Sequence, residues 1–186
     1  MALALHENQN SFASKYQVRH PNPFSIMTVE ASTYWMDISM QRIQPKLLPL
    51  VRPIISSPHL IEYEGKFCSF YENLPFYVPD IIYLDGPDPA QVVGKIDGFQ
   101  SMEVHGFPMS ADVLRIEHHL WPQTMIITDG RRANANMLQT MLKRNWQVLH
   151  DPYGDRTIFR LEESPLGRIS DDHQKFRVDF ARALLK

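Results

Sequence analysis

Cysteine is nearly absent, since Cys68 is the single one among 186 residues. The chain therefore closes no internal disulfide. With no Cys-x-x-Cys pair or Cys/His cluster it offers no zinc framework either, so a reducing compartment, the cytoplasm, is expected. Glycine is scarce: there are 8 in all and none before Gly65, so the amino-terminal stretch holds no glycine-rich turn where backbone could approach a ligand closely. No apolar run reaches transmembrane length. The opening Met1-Ala2-Leu3-Ala4-Leu5 stops at His6-Glu7-Asn8 without a basic n-region or long h-region, so no targeting signal is read. Charge of one sign is missing too, with 19 Lys and Arg against 21 Asp and Glu for a net of -2. That balance predicts no general attraction to nucleic acid or membrane and favours a small-molecule partner. Self-association into a homo-oligomer is left open. There are no internal repeats and no low-complexity tracts.

What is present is an ordinary soluble composition, 44% hydrophobic and 22% charged, at a length that suits one domain with a substantial core. Weak amphipathicity over residues 2–16 predicts a helix, and His20-Pro21-Asn22-Pro23 breaks it. Phe24 to Val29 reads as a strand ending on Glu30. Ser32 or Thr33 caps a helix through Trp35, Ile38, Met40 and Ile43, stopped by Pro45. Residues 46–58 read as a proline-rich connection and His59 to Glu64 as a strand, while Phe67 to Tyr77 is open between a short helix and a lining loop. Ile81 to Leu84, a short apolar run between Pro79-Asp80 and Gly86-Pro87, reads as a central strand buried on both faces. Residues 86–108 read as a lid. Ser110 caps a helix to Leu120, Thr124 to Thr128 is a strand, Ala133 to Arg144 a helix, and Asn145–His150 with Arg156–Leu161 an antiparallel hairpin. A tail, 163–186, follows with a helix expected over Asp171 to Leu185. The alternation predicts an α/β fold: a mostly parallel, Rossmann-like sheet over residues 1–162, helices on both faces and a closing hairpin.

Two strands in this reading end in Asp-Gly, at Asp85-Gly86 and Asp129-Gly130. Ligands bind outside the carboxyl ends of strands in open α/β sheets, so these acids are expected side by side on the binding rim. The bland alternative is that each is a turn former, since Asp bonds its own nearby backbone and Gly accepts positive φ.

In this order of elements the chain resembles the class I S-adenosylmethionine-dependent methyltransferases over roughly residues 1–162. The resemblance rests on the strand ending Thr28-Val29-Glu30, the paired strand-end acids, and the final helix and hairpin from Ala133 to Leu161. It implies that Glu30 accepts hydrogen bonds from the cofactor ribose and that residues near Glu62 to Phe70 contact the adenine. It implies methyl transfer to a small-molecule hydroxyl or similar nucleophile. The family's first strand and glycine-rich turn have no counterpart, so the chain reads either as an amino-terminally shortened version or as one without the usual cofactor loop. A narrower resemblance, to metal-dependent catechol-type O-methyltransferases, implies Mg²⁺ held by Asp85 and Asp129, with Gly130 standing where that family has Asn.

Asp85, Asp88 and His105 are the catalytic candidates, Asp88 and His105 as groups that would move a proton. Against this, Asp88 also fits a turn and His105 a solvated loop. Arg131-Arg132 starts a helix against its dipole, so a compensating carboxylate or ligand is expected beside it. Trp35, Trp121 and Trp146 are expected in the core. Two further readings are a non-catalytic methyltransferase-fold remnant or interaction module, and a nucleotide-sugar transferase using the paired acids.

Overall fold

The computed structural model describes residues 2–13, 15, 23–101, 109–172 and 174–175. Its elements run α1 (Ala2–Ala13), β1 (Ile26–Glu30), α2 (Thr33–Gln41), a 3-10 turn (Pro45–Leu50), β2 (Val51–Ile55), β3 (Pro58–Tyr63), β4 (Lys66–Tyr71) and β5 (Ile81–Leu84). There follow a 3-10 turn (Pro89–Gln91), β6 (Lys95–Ile96), β7 (Phe99–Gln100), β8 (Met109–Ser110), α3 (Asp112–Ile116) and a 3-10 turn (Glu117–His119). Last come β9 (Met125–Asp129), α4 (Arg132–Met141), β10 (Trp146–Asp151) and β11 (Arg156–Leu161). Residues 14 and 16 of the expected first helix, and most of the expected terminal one, lie outside the described residues.

The expected single, mostly parallel sheet is not what forms. Among the described residues the strands make four small sheets of mixed direction: β1-β2, β3-β4-β8, β6-β7, and a four-stranded sheet in the order β10-β11-β9-β5. One cause is local. Glu64 and Gly65 both take positive φ, 48° and 74°, a two-residue turn that folds β4 straight back on β3 in antiparallel register. A parallel neighbour would need a crossover of about a dozen residues. The stretch 67–77 therefore begins as the strand β4, neither the helix nor the loop considered from sequence. A second cause is that β1 pairs only with β2, in parallel, and no described strand bridges it to β5.

The strand read as central is an edge. Among the described residues β5 pairs with β9 alone, and Ile81 and Tyr83 are 45% and 50% exposed. Side chains alternate across a strand, so Ile82 and Leu84 turn with Ile126 and Thr128 toward the core, whereas Ile81 and Tyr83 share the other face with Met125, Ile127 and Asp129. The core lies on the first face. Leu84, Ile126, Phe159 and Leu161 pack there against Val113 and Leu114 of α3 and Ala135, Leu138 and Met141 of α4. Among the described elements the helices of this cluster cover one face of the sheet, not both.

Of the segment 86–108 read as a lid, residues 102–108 lie outside the described residues, and the part before them is tied down. Val93 bonds to β3 on both sides, Leu60 N to Val93 O at 2.7 Å and Val93 N to Pro58 O at 2.8 Å, and β6-β7 form a hairpin turned by Asp97 and Gly98 at φ 50° and 88°. The expected helix from Ser110 starts instead at Asp112, and Ser110 belongs to β8. Buried Glu117 fastens the far end of α4, accepting from Lys143 N (2.8 Å), Arg144 N (2.9 Å) and Trp146 Nε1 (2.9 Å). Arg144 answers by donating to the Glu117 and Leu120 carbonyls at 2.8 and 2.6 Å. Trp35, expected in the core, is 55% exposed, and α2 buries Met36 instead.

Candidate functional site

Although the sheets are separate, groups near the carboxyl ends of β1, β4 and β5 influence one another. Tyr71 closes β4, and its phenol is pushed up to about 12, first by burial, then by the charges of Glu30 and Asp112, offset by Arg131, and further by Asp85. Glu30 ends β1, Asp85 follows β5 and Arg131 precedes α4, so one side chain feels groups from two strand ends and a helix start. Tyr83 gathers a second set. Its hydroxyl donates to Asp129 Oδ2 in a short hydrogen bond. That bond is the main reason the phenol is raised to about 12, followed by burial and the charges of Asp129 and Asp85, against Arg156.

Arg131 ties the rim together. Its Nη1 donates to the Pro87 carbonyl at 2.9 Å and its Nε lies 3.9 Å from Asp85 Oδ1. The turn it grips depends on glycine, because Gly86 sits at φ 84° and a Cβ there would lie 2.9 Å from Arg131 Nη1 and 3.3 Å from Asn134 Nδ2. Asn134 is 1% exposed. Its Oδ1 accepts from Ser110 N at 3.0 Å, while its Nδ2 is buried without a partner. Ser110 Oγ in turn donates to Asp112 Oδ2 at 3.0 Å, and Tyr71 N to Asp112 Oδ1 at 3.1 Å. Burial raises the Asp112 carboxyl to about 6 despite these bonds and Arg115. Beside the rim, a cavity of about 330 Å³ opens between the start of α4 and the hairpin tip, lined by Thr128, Arg131, Arg132, His150, Asp155 and Arg156 among others.

The residues expected from sequence divide accordingly. Glu30, Asp85 and Asp129 come to this rim. Glu30 Oε1 accepts from Ala31 N at 2.8 Å and Ser32 N at 2.9 Å, holding the carboxylate at the entrance of α2. Asp88 caps the turn Pro89–Gln91, its Oδ1 accepting from Ala90 N at 2.9 Å, which is the bland role considered for it. Glu62 and Phe70 are not brought together: they lie on opposite faces of the β3-β4 hairpin, Glu62 opposite Phe67 and Phe70 opposite His59. Phe70 packs against Tyr63 at 5.8 Å between ring centroids and under Arg115 at 5.2 Å. His105 lies outside the described residues. The salt bridge expected for Arg131 exists, to Asp85.

Sequence reasoning missed Tyr83 and Asn134 as site residues, and both left a signal. Asn134 is a polar residue on the stripe of Met137, Leu138 and Met141, where an amide must have a structural or binding use. Tyr83 alternates with the buried Leu84.

The donor set does not suit magnesium. Asp129 is engaged by Tyr83 and Asp85 by Arg131, and among the described residues no group of three or more His, Cys, Asp or Glu side chains is placed to hold a metal. The cofactor fits better at one point. Glu30 is held in place through Oε1, and no hydrogen bond is described at Oε2.

The chain matches no family model, no curated protein and no solved structure. No described helix is long and apolar enough to cross a membrane.

Proposed function

We propose that this rim binds a small molecule, and that the chain acts as an S-adenosylmethionine-dependent methyltransferase on a small-molecule acceptor. The observation that supports the reading is that Asp85, after β5, is felt by two phenols, Tyr71 together with Glu30 from the end of β1 and Tyr83 together with Asp129 from the end of β9. When bound, the cofactor would supply an electrophilic methyl group. Glu30 would hold its ribose hydroxyls, and the cavity beside Arg131 would seat the acceptor. Asp85, whose carboxylate is largely in solvent beside Arg131, would take the acceptor proton. Catalysis would rest on positioning.

A second reading, a non-catalytic binding or interaction module, is favoured by two features: half of the Glu30 carboxylate is already bonded by backbone, and the β5 edge is open. Calorimetric titration with S-adenosylmethionine and its demethylated product separates the two. The methyltransferase reading expects saturable binding that weakens at least about tenfold, or 1.4 kcal/mol, in Glu30→Ala. An absence of binding in the intact protein would leave the module reading standing alone.

A further inference from the structure

The cavity of about 330 Å³ between the start of α4 and the hairpin tip is lined by three arginines, Arg131, Arg132 and Arg156, against two aspartates, Asp151 and Asp155. The hairpin tip is built to hold one of these arginines still. Arg156 donates from Nε and Nη2 to Asp151 Oδ2 at 3.2 and 2.6 Å, and Asp151 Oδ1 accepts from Tyr153 N and Gly154 N at 3.2 and 3.0 Å. Glycine at 154 makes room for the pair, since a Cβ there would stand 2.6 Å from both Arg156 Nε and Asp151 Oδ2. Both oxygens of Asp151 are thus occupied, and the cavity receives a guanidinium whose freedom is already restricted, which favours binding. On the α4 side, Arg131 is turned to Asp85 and the Pro87 carbonyl. Arg132 beside it is exposed, and the ion pairs described at this cavity take up Arg131 and Arg156 but not Arg132. Of the two adjacent arginines expected to need a carboxylate or ligand, one has its carboxylate. Asp155 is exposed and lies against Gly130, its Oδ2 3.5 Å from where a Cβ would stand.

We propose that this cavity binds a phosphate group bridged between the Arg132 and Arg156 guanidiniums, and that the small-molecule acceptor is therefore a phosphate monoester. The inference rests on the reading of the cavity as the acceptor's seat and adds the acceptor's chemical class. A carboxylate has two oxygens and one charge, enough for a single guanidinium fork. A phosphate monoester offers three oxygens and a charge of about −1.5 to −2 at neutral pH, enough for two. Asp155 repels such a ligand, so it lowers the affinity without abolishing it, and its neutralisation tests the sign of the bound charge.

The test titrates the intact protein, without cofactor, with inorganic phosphate, with acetate, and with chloride at equal ionic strength, following backbone amide signals by NMR. The expected result is saturable movement of the Gly130, Ala135 and Thr157 signals with phosphate, half complete at about 5 mM, and binding of acetate at least about fivefold weaker. Arg132→Gln, at an exposed position, is expected to weaken phosphate binding about fivefold, and Asp155→Asn to tighten it about twofold, the sizes of exposed ionic contacts. Asparagine tolerates the left-handed backbone that Asp155 adopts at φ 47°, so the turn is kept. Movement with phosphate no larger than with chloride, acetate bound as tightly as phosphate, or an affinity unchanged in either variant would overturn the proposal. Binding of S-adenosylmethionine, read through Glu30, lies outside this titration, so a failure of the cofactor reading and a failure of the phosphate site are seen separately.

Discussion

Asp112 bears the clearest physical tension in the molecule. It is 8% exposed, and its two carboxylate oxygens serve the Tyr71 amide and the Ser110 hydroxyl, yet burial lifts its pKa from 3.8 to about 6. The folded protein thus binds the proton more tightly than the unfolded chain does. The contribution is fully present below about pH 4 and is lost as pH rises through about 6. Asp112→Asn is expected to remove this dependence. Urea titrations across that window should show the variant gaining on the parent by up to about 3 kcal/mol between pH 4 and 7. A constant offset at every pH would mean that the carboxyl titrates as it does in water. Cys68 gives the opposite lesson: fully buried, with its thiol raised to about 11 mainly by burial, it is packing material, as its isolation in sequence implied.

At the scale of elements, two glycines with nearly the same backbone play different parts. Gly65, at φ 74°, turns β3 into β4 with nothing within 4 Å of an added Cβ, whereas Gly86, at φ 84°, ends β5 under Arg131 and Asn134. Gly65→Ala is expected to cost about 1 kcal/mol, from backbone strain alone. Gly86→Ala adds a clash with two side chains that are themselves bonded, so about 3 kcal/mol is expected, together with displacement of Asp85. Thermal unfolding of the pair checks the difference, and equal losses would remove Arg131 and Asn134 as the reason for glycine after β5. These turns also explain why the elements were legible and their pairing was not. The run Ile81–Leu84 announces a strand through its β-branched and aromatic residues, but an apolar run does not state how many neighbours it has. Its exposed Ile81 and Tyr83 are explained only by the face of the sheet that the core helices leave uncovered.

For the whole molecule, the consequence of four small sheets is uneven stability. β9 and β11 surround Ile126, Phe159 and Leu161, all at 0% exposure, while every residue of β1 is only partly buried. Native-state hydrogen exchange is expected to give amides of β9 and β11 the highest protection, with β1 and β2 opening at lower free energy. Uniform protection across both would point instead to one cooperative core. A ligand bridging Glu30 to the Asp85 and Asp129 side would narrow that gap, because it would tie the less stable pair to the more stable sheet.

By itself the sequence determined the existence and kind of most elements, the carboxylates at strand ends, the lack of a disulfide and the need of Arg131 for a carboxylate or ligand beside it. These follow from local periodicity, turn chemistry and charge. Only the tertiary structure decided which strands are neighbours, that β5 is an edge, that Trp35 faces solvent and that Asp88 caps a turn while Glu30 joins the rim. Pairing and exposure are set by contacts between residues far apart in the chain, and a two-residue turn such as Glu64-Gly65 can redirect an entire strand without altering the pattern that marks it as one.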